Sequence, residues 1–285
     1  MLSRLGVGLN TGREADRSSA PPVFVDLERY PIADRDDPGA VALARRCRAD
    51  LDESGVSILP GFITASATAT AVTEAETLAP AGHPSDVEGT PYLELPDDGW
   101  RAGHPRATWA HTRLTAVPYD EFPAGSVLRT LHESDALLAF LTRALGFEVF
   151  RYDDPLGGLN LAVMRDGDRL AWHYDQTDFV VSLAVQGSET GGDFECVPMT
   201  RSNVDGHVDE RYDEVAAILA GDESRVVTIP MTPGTLMLFE GRNSLHRVSP
   251  IGGARPRYVG LFGYDRRPGT CSSELLRLIR YGRAG

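Results

Sequence analysis

The chain changes texture near residue 146. Before that point apolar residues recur at helical spacing; after it they come in short β-branched or aromatic runs divided by Gly, Asp and Pro. Residues 37–55, DPGAVALARRCRADLDESG, predict an amphipathic helix stopping at Gly55, and ATATAVTEAETLAP (67–80) predicts a second. PVFVDLERY (22–30) reads as a short strand, and VSILPGFI (56–63) as a strand running into a turn. The strongest helical pattern is 126–146, with Ser126 available as a cap and Gly146 as the stop. Residues 1–21 read as a loose leader. From 82 to 120 the pattern fails, leaving either a functional loop or short strands that the sequence does not resolve.

Seven runs follow residue 146: FEVFRY, LNLAVM, DFVVSLAVQ, GDFECV, RVVTIP, GTLMLFE and RYVGLFGY. They predict an antiparallel sandwich or barrel with the earlier helices packed outside. One helical insertion (209–224) interrupts them, and SSELLRLIRYGR (272–283) predicts a closing helix. The expected organisation is a single domain over 22–285, with helical support and a substrate loop in 22–145 and the β core in 146–268.

Composition narrows the chemistry. Acidic residues outnumber basic ones 41 to 28, which disfavours a phosphate-backbone surface. No apolar run approaches a membrane span, and the start has no continuous apolar segment of the secretory kind, so a cytoplasmic location is the expectation. The three cysteines, Cys47, Cys196 and Cys271, are too scattered for a disulfide framework or a zinc site of paired cysteines. All 28 basic residues are arginine, so lysine chemistry is excluded and any carboxylate clamp must be a guanidinium. Gly-Gly pairs at 157, 191 and 252 read as turns, and HExxH, GxSxG and phosphate-loop spacings are absent.

The informative stretch is RDGDRLAWHYDQTDFVVSLAVQ (165–186). His173 and Asp175, two apart on an extended segment, share one face. Trp172 and Tyr174 then point away, as core residues. GTLMLFEGRNSLHRVSP (234–250) supplies a second imidazole, His246, 71 residues beyond Asp175, with Arg247 facing away. Two histidines and one carboxylate on a face of an octahedral ion leave three positions open, as non-haem Fe(II) oxygenases require. On spacing alone the same residues read equally well as ordinary sheet or turn histidines.

Residues 146–268 resemble the double-stranded β-helix (jelly-roll, cupin-like) core of the Fe(II)/2-oxoglutarate dioxygenase superfamily. The resemblance rests on WHYDQTDF, the hydrophobic strand after it, GGDFE, PGTLMLFEGRNSLHRVSPIGG and RPRYVGLFGYD. It implies a mainly β fold with supporting helices, iron held by His173, Asp175 and His246, and 2-oxoglutarate and O2 as cosubstrates. It further implies a basic residue for the far carboxylate of 2-oxoglutarate. Arg255 and Arg257, nine and eleven residues past His246, both fit, and Arg257 is preferred because it directly precedes the strand YVGLF.

Closer similarity is to a bacterial subgroup acting on small molecules, amino-acid hydroxylases and radical halogenases among them. Halogenating members replace the carboxylate by a small residue so that chloride takes its position; this chain retains Asp175. The implied activity is hydroxylation of a small molecule such as an amino acid or natural-product intermediate, with desaturation, oxidative cyclisation or a non-catalytic β-barrel binder as alternatives. Asn160 is a candidate contact to cosubstrate or substrate, or a strand-end turn residue. Arg106, Trp109 and Arg113 are candidates for a substrate clamp or belong to a plain surface loop; Asp193 and Glu195 meet a polar substrate group or form a solvated face.

Overall fold

The computed structural model describes residues 23–94, 99–204 and 207–285; the expected leader lies outside them. Helix α1 (Pro38–Ser54) starts where Asp37 accepts the Gly39 and Ala40 N–H groups, and ends on Gly55, whose left-handed φ of 69° returns its N–H to the Leu51 carbonyl. Its apolar stripe, Leu43, Ala44, Cys47 and Leu51, is buried. Helix α2 (Ala65–Leu78) is capped by Thr64.

Two expectations for the N-terminal half change, and one left open is settled. Residues 23–30 form turns, with only Val25 bridging to Ile63, because Asp26 folds the chain back through the Tyr30 N–H and the Arg29 N–H. The long helix over 126–146 is two helices, α3 (Val127–Glu133) and α4 (Asp135–Leu145). Ser134 takes an extended backbone between them and caps α4 through the Leu137 N–H. Ser126 makes no cap bond; the Val127 N–H goes instead to Glu74 of α2. The unresolved stretch at 82–120 holds two strands, β2 (His83–Gly89) and β3 (Ala110–Val117), paired antiparallel from His83 opposite Ala116 to Gly89 opposite Ala110.

The β core follows the seven runs. Its main strands are β1 (Val56–Leu59), β4 (Leu159–Met164), β5 (Leu170–His173), β6 (Val180–Gln186), β7 (Phe194–Val197), β8 (Val227–Ile229), β9 (Leu236–Phe239), β10 (Leu245–Val248) and β11 (Arg257–Phe262). A seven-stranded sheet runs in the order β1-β9-β6-β11-β4-β3-β2, and a four-stranded sheet in the order β8-β7-β10-β5. Helices α5 (Tyr212–Leu219) and α6 (Glu274–Tyr281) fall where the sequence predicts them.

Period-two alternation divides the interior. Val181, Leu183, Leu236 and Leu238 point from the large sheet to the helices, joining Leu131, Leu137, Leu141 and Leu51 in one buried cluster. Their neighbours Met164, Met237 and Phe239 point the other way and meet Phe194, Cys196 and Val248 of the small sheet. The space between the sheets is therefore lined by apolar side chains, and any polar group there is conspicuous.

Candidate metal centre

His173 ends β5 and His246 lies in β10, and the two are direct partners across the antiparallel ladder. Both imidazoles point between the sheets, with ring centroids 4.2 Å apart. Each donates its Nδ1–H to the carbonyl two residues earlier, His173 to Ala171 at 2.8 Å and His246 to Ser244 at 2.9 Å. That fixes the tautomer and leaves Nε2 as a lone pair on each ring. Both lone pairs face Asp175: His173 Nε2 is 3.8 Å from Oδ1 and His246 Nε2 is 3.4 Å from Oδ2. One ligand atom from each residue lies within 4.8 Å of the others, the clustering that a single ion requires.

Electrostatics favours ligand protonation states. Burial, reinforced by the neighbouring His246, pushes His173 down to about 4, so the ring is neutral and able to donate its electron pair. Burial works against the charge of Asp175, but His246 and His173 outweigh it and hold the carboxyl below its ordinary range. Phe194 and Phe239 close on His246, with centroids at 5.5 and 4.8 Å, which makes this side of the site apolar.

The sequence reading missed Gly241. The Asp175 N–H is bonded to the Gly241 carbonyl at 3.0 Å, and its carboxylate lies where a Cβ on residue 241 would stand. The only sequence signal is the turn GRN before the distal histidine.

The two arginine candidates occupy opposite environments. Arg257 opens β11 opposite Met164 and is 6% exposed. Its guanidinium reaches only the Met164 sulfur, at 3.8 Å, among the described residues, and burial lowers it to about 10 despite the field of Asp193. Arg255 precedes the strand on the surface and donates to the carbonyls of Gly187 at 2.9 Å and Ser188 at 2.8 Å. Asn160, opposite Leu261 on β4, shares the inward face with Met164 and is half-buried.

The remaining candidates are dispersed. Arg106 walls a cavity of about 480 Å3 that opens beside Asp175, yet its guanidinium is engaged by Glu94, Glu210 and the Tyr212 hydroxyl. Arg113 is tied to Asp168 at 2.6 Å, and Trp109 stands 40% exposed just before β3. Asp193 is exposed and accepts from the Ser249 hydroxyl; Glu195 pairs with Arg247 on the outer face of the small sheet, where Arg247 also covers Trp172. Tyr174 is buried and donates to Thr200, as a core residue should.

The model of the family described as Halogenase D matches residues 107–272, more than half of the chain. The chain belongs to the halogenase D family. No curated protein matches it. Among solved structures, AviO1 from Streptomyces viridochromogenes Tue57 aligns at 15% identity and a TM-score of 0.51, over 81% of this chain and 97% of that one. A prolyl hydroxylase in complex with a hypoxia-inducible-factor peptide, from Trichoplax adhaerens, aligns at 16% and 0.51, over 79% and 90%. The epimerase SnoN, in complex with Fe3+, alpha ketoglutarate and nogalamycin RO, aligns at 16% and 0.51, over 79% and 84%. The chain thus has the fold of these proteins, the mainly β double-stranded β-helix with supporting helices that its sequence implied. No described helix is long and apolar enough to cross a membrane.

Proposed function

We propose that this halogenase D family member is an Fe(II)- and 2-oxoglutarate-dependent dioxygenase that hydroxylates an unactivated C–H bond of a small molecule, an amino acid or related natural-product intermediate. The observation that carries the reading is the convergence of His173, Asp175 and His246 with both imidazoles locked in the tautomer that aims Nε2 at the carboxylate. Three donors of this kind suit Fe(II) and leave room for a chelating cosubstrate and O2. Bound there, Fe(II) with 2-oxoglutarate and O2 supplies the oxidising power for C–H hydroxylation, with succinate and CO2 as the other products.

The protein's own residues do the rest. Neutral His173 and ionised Asp175 hold the ion without needing to lose a proton at neutral pH, and His246 joins them through its Nε2. Arg257, a buried cation lacking any carboxylate, takes the far carboxylate of 2-oxoglutarate, while Arg255 serves the surface turn. Asn160 hydrogen-bonds the cosubstrate from the neighbouring strand. Arg106 shapes the rim cavity through its acidic partners rather than gripping substrate itself. Phe194 and Phe239 keep water from the reacting centre.

The family's description raises halogenation as a second reading. Asp175 weighs against it, because its carboxylate occupies the position over Gly241 that a halide would need. A substrate panel assayed for succinate and product mass together tests the proposal. Hydroxylation adds one oxygen, desaturation or cyclisation removes two hydrogens, and halogenation replaces hydrogen by halogen. A product lacking new oxygen overturns the hydroxylase reading; no coupled product with any small molecule favours a macromolecular substrate or a silent binder.

A further inference from the structure

The closing helix α6, ELLRLIRY, is built inside out. Leu275, Leu276, Leu278 and Ile279 stay exposed, whereas Arg280 is half-buried and Tyr281 buried. The helix packs on β2 and β3, and Tyr281 enters the cluster between the sheets with Leu114, Ala116 and Met164. Arg280, next to Tyr281, lies on a helix packed against β3, whose Thr112 accepts the Ala171 N–H of the strand that ends in His173. It is near enough that both His173 and Asp175 feel its charge.

Arg280 makes no hydrogen bond or ion pair with any described residue. The arginines of the rim cavity differ: Arg106 is paired with Glu94 and Glu210, Arg201 with Glu210, and Arg242 with Asp178. A guanidinium withdrawn from water without an acceptor is unfavourable unless something arrives to meet it. The charges of the proposed site say what that is. Fe(II) cancels 2-oxoglutarate, Asp175 cancels Arg257, and Arg280 is left over for one further anion.

We propose that Arg280 anchors the carboxylate of the substrate, making α6 a determinant of specificity for molecules that carry a free carboxylate beside the oxidised carbon chain. The assignment rests on the dioxygenase reading above. A planar fork and a carboxylate form two parallel hydrogen bonds, which would hold one end of an amino acid while the chain extends toward the metal.

The test is calorimetric binding to the anaerobic Fe(II)–2-oxoglutarate form, using the L-amino acids and their carboxamides as probes, with wild type, Arg280→Met and Arg280→Lys. Amino acids that bind wild type are expected to lose roughly 30-fold or more in affinity for Arg280→Met. Their amides should bind all three proteins equally poorly, Arg280→Lys should recover part of the loss, and affinity for 2-oxoglutarate should stay within about twofold. Unchanged amino-acid affinity in Arg280→Met overturns the anchor alone. Lost 2-oxoglutarate affinity overturns it by making Arg280 the cosubstrate cation. Should Arg280→Met fail to fold, wild-type affinity for an amide equal to that for its amino acid is the overturning result. If no L-amino acid binds wild type, the proposed substrate class fails, and the anchor with it.

Discussion

The carboxylate of Asp175 rests against the bare Cα of Gly241, in space that any side chain would fill. Gly241 also accepts the Asp175 N–H, so one glycine sets both the backbone and the side-chain position of this carboxylate. Glycine is required here for its missing Cβ, not for an unusual φ. Gly241→Ala is expected to displace Asp175 and weaken Fe(II) binding at least ~10-fold, as loss of a ligand-orienting contact does, with the thermal midpoint nearly kept. Calorimetric metal titration checks this; unaltered Fe(II) affinity would show that Asp175 can move aside without loss.

Arg257 predicts a trade between function and stability. Arg257→Met should weaken 2-oxoglutarate binding by about 2–5 kcal/mol, the cost of truncating one partner of a buried charge pair. The same substitution should leave the cosubstrate-free protein unchanged or more stable by about 1–3 kcal/mol, because an unpaired buried cation is removed in favour of an apolar chain beside Met164. Urea unfolding with and without 2-oxoglutarate measures both. Arg255→Ala should change cosubstrate binding by less than about twofold, since its guanidinium is spent on surface carbonyls.

His132 predicts an acid-side loss of stability. It is 2% exposed among Tyr119, Phe262 and Tyr264, its Nδ1 has no partner, and burial pushes it down to about 4. In the fold it stays neutral, whereas the unfolded chain protonates near the ordinary value of 6.5. Stability is therefore full above that value and falls as pH drops from 6.5 toward 4, by up to about 1.4 kcal/mol per pH unit for this one group. His173 titrates in the same window in the metal-free protein, so the diagnostic is the difference between wild type and His132→Phe in urea unfolding at about pH 7.5 and about pH 5. Identical pH slopes would contradict the assignment.

Asp175→Gly tests why this member of the halogenase D family retains its carboxylate. The substitution empties the space over Gly241. Hydroxylated product is expected to disappear, and with chloride present mass spectrometry should detect any product as a chlorinated species with its isotope doublet. Continued hydroxylation at the wild-type rate would mean that Asp175 is not a ligand.

Much of this was legible in the sequence because β-sheet alternation makes it so. His173 and Asp175 had to share a face, Trp172 and Arg247 had to face away, and the seven runs had to pair into sheets. The break at Ser134 was hidden because the apolar spacing continues through it, and only the choice of Ser134 as cap ends the helix. Strands β2 and β3 were hidden because they form a largely polar edge ribbon, HPSDVEG against AHTRLTAV, without the alternation that marks a half-buried strand. A half-buried Arg280 beside exposed leucines runs against the ordinary rule that leucines go in and arginines out, so no hydrophobic pattern reveals it.

His173, Asp175 and His246 are expected to hold one Fe(II) with positions free for 2-oxoglutarate. Anaerobic titration of 2-oxoglutarate into the Fe(II)-loaded protein, followed by visible charge-transfer absorbance, tests it directly. The expected result is a band that saturates at one Fe(II) per chain in wild type and is lost in His246→Ala with the circular dichroism unchanged. A band of full intensity in His246→Ala, or none in folded, iron-loaded wild type, would contradict it.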